Sequence, residues 1–358
     1  MNSSRHAVNI AFLDVGQGDT IVITCEVTKE AIVVDCVDAH IVIDYLREQG
    51  IRHLRGVVVT HLHADHYRGV PQLLDNCRQA LGLECELLLH NQIVSKGRAK
   101  NHLLEDGDGH SSASLGGDSA VISRVRTTAL RNLKEWRDSH RMAYAPASLG
   151  AHRLPLEGTL WSQIEVLHPY HADLDGLELS SLNDTSVVLK VHGTGASALL
   201  TGDLEFQGFR KLLESQADLR SQVLKLPHHG GWNADPSQLL EAVRPDIAVI
   251  SVGSDGERYK HPSADTFTRI RERAGSRLLC TQATSRCGSG EREAVLVGLR
   301  SKAKSPPVSP TGRPCAGSIV VELGSTARVL WPDHGIHSGL IRAHFPHHQC
   351  RLESPGPS

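Results

Sequence analysis

Little in this 358-residue chain advertises a membrane or a general affinity for polyanions. No apolar run approaches the roughly 20 residues that span a bilayer. The opening Met1-Asn2-Ser3-Ser4-Arg5-His6 lacks the charged-then-apolar layout of a secretory signal. An excess of one charge sign is missing too: 38 Lys and Arg stand against 40 Asp and Glu, a formal net charge of −2. Any affinity for phosphodiesters must then arise from local groups, because no global field supplies it. Disulfides are a poor default in such a chain. Of eight cysteines, Cys25, Cys36, Cys77 and Cys85 sit in strand-like or helical contexts and read as buried thiols. The later four, Cys280, Cys287, Cys315 and Cys350, invite a metal reading instead. The length suits one sizeable core or two small ones.

What is present in abundance is histidine, 22 residues, and its densest use is Thr60-His61-Leu62-His63-Ala64-Asp65-His66. The stretch follows the β-branched run Gly56-Val57-Val58-Val59, a buried strand by pattern, and precedes a predicted helix over Gln72–Asn76. Three imidazoles and a carboxylate therefore occupy one strand-to-helix loop. Imidazole suits zinc, iron and nickel, and a carboxylate adds an anionic ligand that neighbouring ions can share. His61 and His63, two apart in extended chain, can point the same way, whereas Asp65 and His66 lie past the turn and can face a second ion. The plain alternative, a polar turn with scattered histidines, does not need so dense a spacing.

His61-Leu62-His63-Ala64-Asp65-His66 resembles the HxHxDH signature of the metallo-β-lactamase fold superfamily. Further blocks, in order, resemble the hydrolase domain of ComEC-type DNA-uptake proteins: Phe12–Asp19, Asn183–Leu189, Leu200-Thr201-Gly202-Asp203, Leu224–Gly230, and the run from Ser251 to Pro262. The resemblance covers roughly residues 8–282 and implies an α/β fold, the αββα sandwich of two mixed sheets flanked by helices. It implies two divalent ions, zinc foremost with manganese or magnesium as options. His61 and His63 would hold one ion, Asp65, His66 and His229 the other, with Asp203 bridging and His228 a less certain neighbour. A histidine expected about twenty residues before the bridging aspartate is missing; Asn183 or Asp184 would substitute as oxygen donors. Gln17, Gly18 and Asp19 would lie on the floor of the site. With no membrane channel in the chain, the expectation is a free-standing cytoplasmic hydrolase without a membrane partner.

Read in order, Val8–Leu13, Thr20–Thr24 and Ala31–Asp35 are predicted strands, residues 40–49 a helix, and the alternation that follows suits a layered α/β architecture. Residues 91–125 are polar and glycine-rich, an insertion or lid. Residues 119–141 carry apolar positions at helical spacing with Arg and Lys between them, a solvated face or a phosphate-contacting one. Thr185–Val191 and Ala196–Thr201 read as neighbouring strands. Asp203 could equally be the N-cap of a helix over about 204–214. His261, beside Lys260 and Arg258, could contact a phosphate or give a proton to a leaving group. The hydrolase domain is set at 1–283 and a C-terminal extension at 284–358, with a disordered loop near 300–313 and a hairpin of Gly317–Leu323 with Ala327–Leu330. Cys280, Cys287, Cys315 and Cys350, with histidines such as His337, could pin that extension through a structural zinc, although their spacings match no standard finger.

The chemistry expected is two-metal hydrolysis, since a metal pair can stabilise both the attacking and the leaving oxygen of a phosphodiester. The catalytic candidates are Asp65, His261 and Lys260, and the substrate a nucleic acid or nucleotide. The rivals are a hydrolase of amides, lactones or thioesters, a small-nucleotide phosphodiesterase, and a non-catalytic metal-stabilised component of a multi-protein, defence-type system. A flavin-linked oxygen-reducing enzyme is disfavoured because no flavodoxin-like module is visible.

Overall fold

The computed structural model describes residues 6–90, 143–146, 159–169, 182–231, 236–254, 261–272, 276–284 and 315–344. The insertion at 91–125, the basic stretch at 119–141 and the loop at 300–313 lie outside the described residues.

Two sheets form the frame. The first contains β1 (Val8–Phe12), β2 (Ile21–Cys25), β3 (Glu30–Val34), β4 (His53–Val59), β5 (Leu87–His90), β6 (Ala143–Pro146), β13 (Ile319–Leu323) and β14 (Ala327–Trp331). Its order is β14-β13-β1-β2-β3-β4-β5-β6. The second contains β7 (Ile164–His168), β8 (Val188–His192), β9 (Ser197–Leu200), β10 (Val223–Lys225), β11 (Ile247–Ile250) and β12 (Arg277–Cys280), in the order β12-β11-β10-β9-β8-β7. Both are mixed: β3 to β6 and β9 to β12 run parallel, and the remaining neighbours antiparallel.

Side-chain alternation explains the layering. In β1 to β3, Ile10, Phe12, Ile21, Ile23, Ile32 and Val34 face the second sheet, where they join Leu189, Val191 and Val249. The alternate residues Ala11, Val22, Ala31 and Val33 face outward onto Val42, Leu46, Leu73 and Leu74 of the helices α1 (Ala39–Glu48) and α3 (Val70–Asn76). The short α2 (Ala64–Tyr67) lies between those two helices in the chain. On the far side, Leu199, Leu224, Ala248 and Leu278 meet Phe209, Leu212, Leu240 and Phe267 of α4 (Phe206–Glu214), α5 (Pro236–Val243) and α6 (Ala264–Glu272). Strands apolar on both faces belong in a sheet covered on both sides, so the layers read helix, sheet, sheet, helix.

One sequence expectation shifts, and the late hairpin takes the edge position expected of it. Thr185 does not begin a strand: its Oγ1 donates to the Leu182 carbonyl at 2.6 Å, and Asn183–Thr185 form a 3-10 turn ahead of β8. The late hairpin continues the first sheet, because β13 pairs antiparallel with β1 and leaves β14 as the edge. A last helix, α7 (His334–His344), follows it, and no described helix is long and apolar enough to cross a membrane.

Trp161 locks the two sheets together. It is fully buried, donates Nε1–H to the Arg55 carbonyl at 2.8 Å, and fills the space over Gly56, where a Cβ would come within 2.5 Å of its ring. Replacing Trp161 by Ala should cost about 3–5 kcal/mol, read as a lowered urea midpoint; a loss below the error of the measurement would show that the indole is not a keystone.

Candidate metal centre

The centre forms where loops leave the carboxyl ends of parallel strands, the usual place for ligands in layered α/β folds. β3 ends at Asp35, whose backbone is left-handed (φ 57°). Its Oδ1 accepts from the Thr60 N–H at 2.7 Å and its Oδ2 from the Thr60 hydroxyl at 2.6 Å, which ties β3 to the first residue of the histidine loop. Oδ2 also lies 2.7 Å from His66 Nδ1. From the other side, the turn before β2 presses in at Gly18 (φ 117°), where a Cβ would collide with the Asp65 carbonyl; the Asp19 N–H donates to that carbonyl at 3.2 Å. Only glycine allows that approach.

Second-sheet loops complete the cluster. Asp203 follows β9, with its N–H donated to Ser186 Oγ at 3.1 Å. His229 follows β10 in a turn where both His228 (φ 47°) and His229 (φ 50°) are left-handed. Its Nδ1–H donates to the Ser251 carbonyl at 2.8 Å. Each of these contacts fixes an outer ring nitrogen and turns the inner one toward a common space. His66 Nε2 and His229 Nε2 lie 3.1 and 3.3 Å from Asp203 Oδ2, and Asp65 Oδ2 lies 3.6 Å from His229 Nε2. His61 Nδ1 rests near Thr60 Oγ1 (3.2 Å) and Ser186 Oγ (3.4 Å), and its Nε2 meets His63 Nδ1 at 3.0 Å.

This donor set fits divalent cations. His61, His66 and Asp203 can offer one atom each within 4.8 Å of one another, as can Asp65, His66 and His229; Asp19 joins two further groups, with Asp203 and His229 and with Asp35 and His66. His229 Nε2 comes no closer than 3.3 Å to the carboxylates it faces, and Asp19 Oδ1 is buried without a hydrogen bond. Buried polar atoms rarely stay that way, and imidazole nitrogens anchored on their outer side are the arrangement that ligating histidines adopt.

The electrostatics agree. Burial raises the Asp203 carboxyl, but the charges of His229, His66 and Lys225 outweigh it and hold the group well below the usual carboxylate range. Asp65 is likewise lowered despite burial, by its hydrogen bond to His229 and the charge of His66. His229 loses protonation to burial and regains more from Asp203 and Asp65, which push it up to about 10. His61 goes the other way, pulled well down by burial and by His66 and His63. Lys225, fully buried, ion-pairs with Asp19 and lies 3.3 Å from Asp203 Oδ1.

The other sequence candidates fall outside that convergence. Asp184 Oδ1 accepts the Gly208 N–H at 2.7 Å, which holds α4. Asn183 Nδ2 donates to Glu205 Oε1 at 3.0 Å, and His228 Nδ1 lies 3.1 Å from the same oxygen. Asn183 and His228 thus gather on Glu205 beside the centre. His261 completes that flank, its ring 4.7 Å from His228 and 6.1 Å from His229. Burial, then the His228 and His229 charges, push His261 down to about 3, so at neutral pH it offers a neutral N–H. Lys260, Cys287 and Cys350 lie outside the described residues. Cys280 and Cys315 are buried, and Cys315 Sγ sits 3.6 Å from His337 Nε2. Among the described residues those three form no metal-competent group.

Asp35, Lys225, Ser186 and Thr60 were not singled out by sequence reasoning. A usable signal existed for two of them: a carboxylate ending the run Ala31–Val34 and a lysine inside Val223–Leu226 are charges in otherwise apolar strands, and a buried charge needs a partner.

Residues 13–85 match the sequence model of the metallo-beta-lactamase superfamily, and the two-sheet architecture is the fold of that superfamily. ComE operon protein 3 of Bacillus subtilis (strain 168) is 22% identical over 292 residues, 76% of this chain and 31% of that protein. Competence protein ComA of Neisseria gonorrhoeae is 41% identical over 100 residues, 28% of this chain and 14% of that protein. The chain therefore spans under a third of the length of these curated relatives. Among solved structures, the short form of human tRNase Z is similar at a TM-score of 0.35 and 13% identity, covering 70% of this chain and 94% of that one.

Two measurements test the centre. Asp35→Asn should weaken metal binding about 10–100-fold, because the carboxylate that orients His66 is lost; equal affinity by metal titration would remove Asp35 from the design. In chelator-stripped protein, His229 is raised from 6.5 to about 10. A raised histidine contributes stability that is full below its unfolded value and lost as pH climbs through the folded one. Urea midpoints should therefore fall from near pH 6.5 toward pH 10, less steeply in His229→Gln.

Proposed function

We propose that this chain, with its metallo-β-lactamase fold and converging histidine and aspartate donors, is a metal-dependent hydrolase of phosphodiesters in DNA or nucleotides. One observation carries the reading: the inner nitrogens of His66 and His229 close on Asp203 Oδ2 at 3.1 and 3.3 Å while their outer nitrogens are held by Asp35 and Ser251. The likeness to ComE operon protein 3 and competence protein ComA, together with the resemblance of the sequence blocks to the hydrolase domain of ComEC-type DNA-uptake proteins, supports a phosphodiester over other esters.

His61, His63 and Asp203 would hold one divalent ion, and Asp65, His66, His229 and Asp203 the other. Zinc suits the nitrogen-rich half, and manganese or magnesium the oxygen-rich alternative. Bound there, the ions supply Lewis acidity, acidifying water near neutral pH and offsetting charge on the phosphoryl group. The protein's own groups do the rest. Asp35 and Ser251 keep two rings in the tautomer that presents a lone pair inward. Asp65, kept ionised well below its usual range, would serve as an anionic ligand and as a hydrogen-bond acceptor that orients a water rather than as a strong base. His261, a neutral N–H donor, and His228 beside it can donate to the phosphate oxygens or the leaving oxygen. Lys260, next to His261 in the chain, would add a positive charge. The walls are dry, since His61, His66, Asp203 and His229 are all buried, which strengthens each of these interactions.

His63→Ala and Asp203→Ala should each reduce hydrolysis of bis(4-nitrophenyl) phosphate and single-stranded DNA to background, with circular dichroism unchanged. A protein fully active on a lactone, amide or thioester and inert on every phosphodiester would transfer the site to the rival substrate class.

A further inference from the structure

Lys225 is the one buried cation in the centre that cannot be a metal ligand while charged, and its position is closely determined. It ends β10, flanked in parallel register by Leu200 of β9 and Val249 of β11, and is fully buried. Its ammonium has three donors and three acceptors: the Gly202 carbonyl at 2.7 Å, Asp203 Oδ1 at 3.3 Å, and Asp19 Oδ2. It thereby joins a loop of the first sheet to a loop of the second.

Two consequences follow from those contacts. Asp203 is divided: Oδ1 faces the lysine, and only Oδ2 faces the ring nitrogens of His66 and His229. Asp19 is withheld: it belongs to two of the four metal-competent groups, yet its Oδ2 is engaged by the ammonium. Where Asp19 and Asp203 would otherwise make a further cation site, the chain has placed a cation of its own.

We propose that Lys225 is a built-in counter-cation of the metal centre, occupying the Asp19–Asp203 position, keeping Asp203 a one-oxygen ligand and setting the charge of the loaded site. Asp19, Asp35, Asp65 and Asp203 supply four negative charges, which two divalent ions would cancel. With any bound water still neutral, Lys225 leaves one positive charge over. In its last clause this rests on the phosphodiesterase reading: the surplus draws a monoanionic phosphodiester and gives a neutral ester nothing. Lys225 acts through Asp203 and Asp19 and is a positioning residue.

The test is Mn(II) titration, followed by the electron paramagnetic resonance of free Mn(II), on wild type, Lys225→Met, Asp19→Asn and the double variant. Removing a positive charge this close to the ions should tighten binding at least about tenfold in Lys225→Met. Asp19→Asn should weaken it by a similar factor, and the double variant should return to within about threefold of wild type. Mere structural damage would loosen binding in Lys225→Met, so equal or weaker binding in that variant when folded overturns the proposal. If Lys225→Met folds only with Mn(II) present, the metal has replaced the lysine, as expected. The double variant keeps the charge balance and must fold; its failure to fold with or without metal also overturns the proposal. For substrate, KM for bis(4-nitrophenyl) phosphate should rise about tenfold in Lys225→Met, and an unchanged KM removes the surplus-charge clause. A wild type inert on all phosphodiesters would end the functional reading alone, because the Mn(II) arm reads Lys225 without any turnover.

Discussion

The constraint on which this molecule depends is the burial of carboxylates at the seam between two apolar sheets. Asp19, Asp35 and Asp203 are each almost wholly removed from water. Unpaired, any of them would cost several kcal/mol, a large share of the roughly 5–15 kcal/mol by which a typical domain is stable. Every neighbouring element is arranged to answer them. Thr60 and His66 answer Asp35; Lys225 answers Asp19 and Asp203; His66 and His229 answer Asp203 from two directions. The network is incomplete as protein alone, with His229 Nε2 held only at 3.3 Å from Asp203 and Asp19 Oδ1 without a hydrogen bond. A centre that stays short of positive charge after all its own cations are placed is one built to receive more.

The fold makes this arrangement affordable in geometric terms. Parallel strands all deliver their carboxyl ends to the same side of a sheet, so β3, β4, β9, β10 and β11 hand Asp35, His61, Asp203, His229 and the Ser251 carbonyl to one place. Packing of the two sheets through Phe12, Ile23, Ile32, Trp161 and Leu189 then fixes the distance between the two sets of loops. Interiors at native packing density transmit small displacements. The apolar layer is therefore part of the chemistry: it holds His66 from one sheet and Asp203 from the other at 3.1 Å.

The sequence made the frame and half of the centre legible, for a physical reason. Strands with two buried faces and the histidine loop after β4 carry local patterns, so Val8–Phe12, Ile21–Cys25, Glu30–Val34 and the residues His61 to His66 can be read where they stand. Asp203 and His229 could be named only through resemblance, because nothing in their own neighbourhoods distinguishes a ligand from a helix cap or a turn histidine. The partners Asp35, Lys225 and Ser186 act across separations of 17 to 31 residues or more, and such pairings leave no local periodicity. Asn183 and Asp184 carry a second task that one dimension does not show. The turn they form sends the Asn183 amide N–H to Glu205 and lets Asp184 Oδ1 accept the Gly208 N–H of α4.

Backbone strain marks the same residues from an independent direction. Of the six described non-glycine residues with positive φ, three are Asp35, His228 and His229. A left-handed residue bearing a side chain costs of order 1–3 kcal/mol and persists only where its surroundings over-determine it. Glycine at these positions would relieve the strain and remove the carboxylate that orients His66, the imidazole on Glu205 and the imidazole on Asp203. The chain tolerates the conformation because the side chain is needed there and no ordinary backbone delivers it. Asp35 must turn back to reach both Thr60 and His66, and His229 must reach Ser251 with one nitrogen while facing Asp203 with the other. The energy stored in three strained residues and several buried charges is thus gathered at the strand ends that face one another across the two sheets, as expected of a site whose geometry serves ligand and substrate before stability.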